Sequence, residues 1–258
     1  MTERDRLLHA VAAEPDDDTP RRIFADWLDD HDEPQRATFI RTGLDLAAMD
    51  RADPRYPATL AAHRRAWTPP TRPWEDHIPG ARVAFHRGFL HRANFGELSY
   101  YLDTDPRDWN RVPLEELSLV SRGRTSTEQW ATRRSDWNRL RLLALRYNWT
   151  CDDLAAVLSQ PSLGGLKRLR LDLDSLRSVN LEALQTLSDV IRLPALEGLF
   201  WHGSDPVAIR EVVPRFRPLR QLMCKSYSDP RLDEEAGDWE WLLNSGHWPA
   251  LERLSVCH

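Results

Sequence analysis

The sequence predicts an α/β protein: short parallel strands and helical return segments stacked as a solenoid, with the sheet on the concave face and helices on the convex face. A small helical domain precedes it. Three observations predict this. The phrase Leu-x-x-Leu-x-apolar recurs as Leu114/Leu117/Leu119, Leu140/Leu143/Leu145, Leu166/Leu169/Leu171, Leu196/Leu199/Trp201, Leu219/Leu222/Cys224 and Leu251/Leu254/Val256, with a degenerate earlier copy at Leu90/Ala93/Phe95. The central residues are spaced by 24, 26, 26, 30, 23 and 32 positions. That is one strand plus one return, too little chain to bury its own apolar face, so neighbouring units must complete the core. Residues 1–50 lack the phrase and carry helical stripes instead. The chain thus reads as a helical domain at 1–50, a connector and cap at 51–80, and about seven repeats at 81–258.

Within the first domain, Leu7, Leu8, Val11 and Ala12 form one stripe over residues 3–13. The run Glu14–Pro20 ends that helix and starts the next: Asp18 or Thr19 is expected to accept orphan backbone N–H groups, and Pro20 suits a first turn. Ile23, Phe24, Trp27 and Leu28 make the second stripe, to about Asp30; Pro34 opens a third helix with Ala37, Ile40, Leu44 and Ala47 inward, to about Met49. The triplet Asp16-Asp17-Asp18 lacks the alternating ligands, glycine and distal glutamate of a calcium loop and reads as capping. The acidic cluster from Asp29 to Glu33 stands where it opposes the helix dipole, as a solvated turn or as a docking surface.

Residues 50–80 hold Pro54, Pro57, Pro69, Pro70, Pro73 and Pro79, which oppose regular structure apart from a short helix around Ala58–Ala66. With Trp67 and Trp74, this connector is expected to fold across the first repeat and seal the end of the solenoid. Val83–Phe85 and Phe89–Leu90, around Arg87-Gly88, read as a β-hairpin. Helical returns are expected at Asp152–Ser159, Leu181–Ile191, Pro206–Val213 and Leu232–Leu243. Proline or glycine precedes several phrases, at Pro113, Gly165, Pro194, Pro218 and Pro249, where a helix must stop before the next strand.

Two resemblances sharpen this. Leu7-Leu8, the run Pro15–Arg21, Ala25-Asp26-Trp27-Leu28 and the run Arg36–Arg41 resemble the small bacterial repeat-companion domain, found before leucine-rich or similar repeats; the likeness covers roughly residues 3–48. Gly43 departs from it, standing where that module usually has glutamine, and His31-Asp32 replaces a glycine-containing turn. The strand-return units resemble leucine-rich repeats of the ribonuclease-inhibitor-like kind, with the usual asparagine after the strand kept at Asn148 and replaced by Asp174, Ser204 and Tyr227 elsewhere. The companion resemblance implies an architecture and carries no catalytic activity with it.

Composition excludes several classes. No run of about 18 apolar residues exists, so no membrane span is expected. The N-terminus lacks the apolar core of a secretory signal. Cys151, Cys224 and Cys257 are few, odd in number and far apart, which fits a reducing cytoplasm. The net charge of −5 conceals an asymmetry: residues 1–50 hold 13 Asp/Glu against 6 Arg, a balance of −7, and the remainder is slightly positive. Such a chain has no general pull towards nucleic acid. Phosphate-cradling glycine loops, HExxH, GxSxG and paired CxxC motifs are absent, and no cofactor is expected.

If the leucines point inward, the alternate residues of each strand form the working face. Its middle gathers Arg146, Arg168, Arg170, Asp172, Phe200, His202, Met223 and Lys225, a cationic patch with apolar anchors suited to a protein or peptide partner with an acidic segment. The sequence therefore reads as a non-enzymatic binding module. An enzyme, or an accessory subunit completing an active site near His202 and Cys257, is the alternative; nucleic-acid binding through the Arg-rich face is the weaker one, because carboxylates are interspersed. Cys257-His258 with His202 would suggest a metal site, but two strands span about 10 Å, a long reach for a His/Cys pair, and no third ligand is evident. Cys224 falls on an inward position, whereas Cys151 begins a helix, where a thiol pKa can drop. Trp27, Trp130, Trp137 and Trp241 read as core, and Trp109, Trp149 and Trp248 as junction residues. The last phrase ends the sequence, so an open strand edge and self-association through it are expected.

Overall fold

In the computed structural model, residues 1–67, 78, 80–104, 112–121, 137–172, 193–202, 219–225 and 250–257 are described, with backbone alone for 225, 256 and 257. Among them no helix is long and apolar enough to cross a membrane. The chain is α/β and divides into two units: Met1–Phe95 with Ser99–Glu115, and Gly96–Leu98 with Glu116–His258.

In the first unit, α1 (Glu3–Ala13) starts at Thr2, whose hydroxyl accepts from Asp5 N at 3.1 Å while Thr2 N donates to the Asp5 carboxylate at 3.0 Å. This reciprocal box satisfies two groups the first turn leaves orphaned. Helix α2 (Thr19–Asp29) follows, but Asp18 makes no capping bond. Asp17 takes that role, its Oδ1 accepting from Thr19 N at 2.8 Å. Arg21 folds back under the same loop and donates to the carbonyls of Asp17 and Pro15 at 2.6 and 2.8 Å.

Helix α3 (Pro34–Ala48) lies beside α2, joined by Arg41, which donates to Asp26 at 2.6 Å and Asp29 at 2.5 Å. The stripes differ in detail from the sequence reading. Ile23 and Ala47 are exposed, whereas Arg21, Ala25, Arg36, Phe39 and Gly43 are buried. The hairpin explains the shift on α3. Strands β1 (Ala81–His86) and β2 (Phe89–Phe95) pair antiparallel around Arg87 and Gly88, both at positive φ (52° and 78°), as a tight two-residue turn requires. Phe89 enters the core with Leu8, Val11, Phe24, Ala25, Leu28, Ala37, Ile40 and Leu44. The turn sits on α3: a Cβ on Gly43 would lie 2.6 Å from Gly88 N, and one on Gly88 would lie 2.5 Å from Ile40 Cα. The hairpin thus packs on the helices of this unit.

Helix α4 (Tyr56–Ala66) tolerates Pro57 in its first turn and packs on α3. Its His63 ring stacks on Phe39, centroids 4.2 Å apart, and Trp67 closes the cluster against Phe39 and Phe85 at 4.9 and 4.3 Å. Residues 68–77 and 79 of the connector, including Trp74, lie outside the described residues, while Ile78 is buried. A further helix, α5 (Leu98–Asp103), sets Tyr101 against Phe95 at 5.4 Å.

Buried beside these rings is Arg36, its guanidinium 5.3 Å from the Phe39 centroid and 5.5 Å from that of Phe89. Neither terminal nitrogen has a hydrogen-bond partner among the described residues. Burial lowers its pKa to about 9, with the charge of Arg4 adding and that of Glu33 opposing.

The second unit is a parallel sheet: β3 (Glu116–Ser121), β4 (Leu142–Tyr147), β5 (Arg168–Asp172), β6 (Gly198–His202), β7 (Gln221–Lys225) and β8 (Arg253–Cys257). Each strand pairs with the next in chain order. The register runs Leu117, Leu143, Leu169, Leu199, Leu222, Leu254, the central residues of the sequence phrase. From Leu114 to Cys224 the phrase residues are all buried, while Leu251 and Leu254 are partly so. One return is described in full. Helix α6 (Cys151–Leu158), capped by the Thr150 hydroxyl on Asp153 N at 3.1 Å, and a 3-10 turn (Pro161–Gly165) bury Leu154, Val157, Leu158 and Leu163. The other three expected returns, and Trp109, Trp130, Trp241 and Trp248, lie outside the described residues. Trp137 is buried as expected of a core residue. So is the junction residue Trp149, whose Nε1 donates to Arg146 O at 3.0 Å.

Two predictions follow from the first unit. Gly88→Ala places a side chain at positive φ and against Ile40, so it should cost about 2–4 kcal/mol, seen as a lowered urea midpoint; a midpoint equal to wild type refutes the seating of the turn. The second concerns pH. Burial lowers the pKa of His63 from its ordinary 6.5, with a Phe39 backbone hydrogen bond opposing and the Arg36 charge adding. The unfolded chain therefore protonates first on acidification. Stability from this site is full above pH 6.5 and falls as pH drops below it. Thermal unfolding at pH 7.5 and 5.5 should show a smaller acid loss in His63→Phe than in wild type; equal losses contradict it.

Candidate functional site

On the face opposite the leucines, the strand register stacks alternate residues into three rows. Leu142, Arg168, Gly198, Gln221 and Arg253 form the first; Ala144, Arg170, Phe200, Met223 and Ser255 the second; Arg146, Asp172, His202, Lys225 and Cys257 the third. Neighbours in a row are about 4.8 Å apart, within reach of long side chains.

The third row is tied together by Asp172. Its Oδ2 accepts from Arg146 Nε at 3.1 Å on one neighbouring strand and from Arg170 Nη2 at 3.0 Å on its own, and its Oδ1 meets His202 Nδ1 on the other neighbour. One carboxylate thereby links β4, β5 and β6. Burial alone raises the Asp172 pKa, but the His202 hydrogen bond and the Arg170 charge outweigh it, holding the carboxyl below its ordinary value. Arg146 and Arg170 are partly spent on this node, and Asp172 is buried at 8% exposure.

The second and first rows are open. Arg170 lies over the Phe200 ring at 4.4 Å, and Met223 is 39% exposed. Beside them the missing side chain of Gly198 leaves a hollow of about 220 Å³, with Leu142, Arg168, Arg170, Phe200, Gln221, Met223 and Arg253 among its walls. Arg168 and Arg253 are exposed, and neither guanidinium has an ion partner among the described residues. The nearby carboxylates are already used: Glu197 accepts from Lys167 at 2.7 Å, and Glu252 lies 3.7 Å from Arg220.

Of the residues singled out from sequence, Arg168, Arg170, Phe200 and Met223 surround the hollow. Arg146, Asp172 and His202 instead form the internal node. Lys225 falls in the third row by its backbone, and its side chain lies outside the description. Sequence reasoning left Gly198, Gln221 and Arg253 out of the patch. A lone glycine inside a strand pattern was the available signal, since it marks a weak or closely approached strand position.

The chemistry of the other candidates is limited by geometry. His202 and Cys257 share a row but lie two strands apart, and His202 Nδ1 is held by Asp172. Among the described residues no three His, Cys, Asp or Glu side chains gather as a metal site. Cys224 is fully buried, and burial pushes its thiol up to about 12. Cys151 does not follow the helix-start expectation: burial, reinforced by Asp152, pushes it up to about 11. Of the acidic cluster at the end of α2, Asp29 pairs with Arg41 and Glu33 with Arg4, His31 stacks on Trp27 at 3.9 Å, and Asp30 and Asp32 are exposed.

Removing the node tests its role. Asp172→Ala leaves Arg146, Arg170 and His202 facing one another and should lower stability by about 1–3 kcal/mol in urea unfolding; a change within about 0.5 kcal/mol contradicts it. Comparisons with family models, with curated proteins and with solved structures returned no match.

Proposed function

We propose that the chain is a non-enzymatic binding module that holds a protein or peptide, through acidic groups, on the exposed face of its parallel sheet. The observation that carries this reading is Arg168 and Arg253, exposed and without an ion partner among the described residues, flanking an apolar hollow that Gly198 helps to line. An exposed guanidinium with a planar fork of donors suits a carboxylate, and Phe200 and Met223 supply apolar anchors. In this reading the sheet is the concave face of a leucine-rich-repeat horseshoe of the ribonuclease-inhibitor-like kind, preceded by a repeat-companion domain. In-register parallel strands with one buried leucine row per position support it. Buried free thiols at Cys151 and Cys224 fit a reducing cytoplasm as the compartment.

The test is a pair of affinity captures from the native lysate, wild type beside Arg168→Glu/Arg170→Glu, with circular dichroism to show that the variant folds. At least one captured protein should be lost by about tenfold, the equivalent of about 1.4 kcal/mol. Unchanged capture refutes the face. Stoichiometric metal in the purified protein, or thiol-probe labelling at Cys257, would instead support the enzyme alternative; a salt-dependent gel shift would support nucleic acid.

A further inference from the structure

The free arginines of the first row are set at a spacing that selects a sequence pattern in the partner. Resting on the binding function proposed above, we propose that the hollow takes an extended segment of the form acid-x-aromatic-x-acid, crossing the strands at right angles.

The strand register sets the spacing. Arg168, Gly198, Gln221 and Arg253 stand side by side on four successive strands. Three inter-strand steps separate the two arginines, about 14 Å at the backbone. An extended chain advances about 3.3 Å per residue and returns to the same face every second residue, so positions i and i+4 lie about 13 Å apart on one face. Acids at those positions fall opposite Arg168 and Arg253, and the flexible side chains absorb the difference. The residue midway, at i+2, also faces the sheet and lands between Gly198 and Gln221.

That is where the sheet lacks a side chain. The hollow there measures about 220 Å³. A cavity of roughly 150 Å³ holds benzene, so a phenyl or phenol ring fits with room for the adjoining methylene. Phe200 and Met223, one row along, offer it an aromatic face and a polarizable thioether. Glu197 accepts from Lys167 at 2.7 Å and Glu252 lies 3.7 Å from Arg220, so each of these carboxylates already has another cation beside it. Asp172 is committed to Arg146, Arg170 and His202.

The experiment measures fluorescence anisotropy of labelled peptides, up to millimolar protein, with the full chain. One peptide carries Glu-Ser-Phe-Ser-Glu in a Gly/Ser flank, a second the same residues as Ser-Glu-Phe-Glu-Ser, and a third Glu-Ser-Ala-Ser-Glu. The first should bind at least about tenfold more tightly than either of the others. Arg168→Glu and Arg253→Glu should each weaken it by about tenfold or more. Gly198→Leu should make the first and third peptides bind alike, since its side chain projects into the hollow; its Cβ would meet Arg168 Cγ at 3.3 Å, part of a flexible side chain. Equal binding of the first two peptides overturns the spacing, and so does no binding of any. If all three bind alike and Arg168→Glu weakens all, the acidic-partner function stands and the pattern fails. A ten-nucleotide oligothymidylate binding more tightly than the first peptide overturns the choice of a peptide ligand.

Discussion

In-register parallel pairing of six short strands is the constraint on which the second unit depends. Its leucines at positions 117, 143, 169, 199, 222 and 254 are direct neighbours across the sheet. With a side-chain period of two, a slip of one residue in any strand would turn its leucines to solvent and its arginines into the core. Burying a leucine contributes about 1.5–3 kcal/mol, so a slipped strand with two or three exposed leucines is strongly disfavoured. The same constraint that forms the core therefore orders every residue of the opposite face. Arg168 and Arg253 are not placed by interactions of their own. They are placed by Leu169 and Leu254.

Charge in the second unit is sorted by position along the strands and the residues that lead into them. At strand starts, Lys167 with Glu197 and Arg220 with Glu252 cancel across neighbours. At strand ends, Asp172 gathers Arg146, Arg170 and His202. Between these two bands lie the unpaired arginines and the Gly198 hollow. A buried carboxylate with three donors stabilises its own strands and is itself committed away from the open arginines. The node and the hollow are thus complementary parts of one arrangement.

The N-terminal unit shows where sequence periodicity stops. Three helices and a hairpin were legible from stripes, prolines and the Arg87-Gly88 pair. Their packing partners were not, and this decided which stripe residues went inward. Period 3.6 places Ile23 beside Phe24, yet Ile23 is 51% exposed. On α3 the hairpin covers a flank that a three-helix reading leaves to water, burying Phe39, Arg36 and Gly43 and freeing Ala47. Gly43, the departure from the companion-domain resemblance, has a local reason here: any side chain would strike the Gly88 turn. Arg36 was unreadable as a core residue, because only two flanking rings, Phe39 and Phe89, make a buried guanidinium tolerable.

For the site, composition was the poorer guide and register the better one. A count of Lys and Arg against Asp and Glu after residue 50 comes near to neutrality, 29 against 27, and points to no particular charged surface. Neutrality of a sum does not require neutrality at each row. Once the rows are drawn, the acids beside the hollow are seen to be paired, and the arginines flanking it are not. The patch read from sequence was chosen by charge and so included Arg146 and Asp172, which neutralise each other. It passed over Gly198, which has no charge to count. Yet the absent side chain is what turns a flat sheet into a hollow, and the two arginines matter because they flank it.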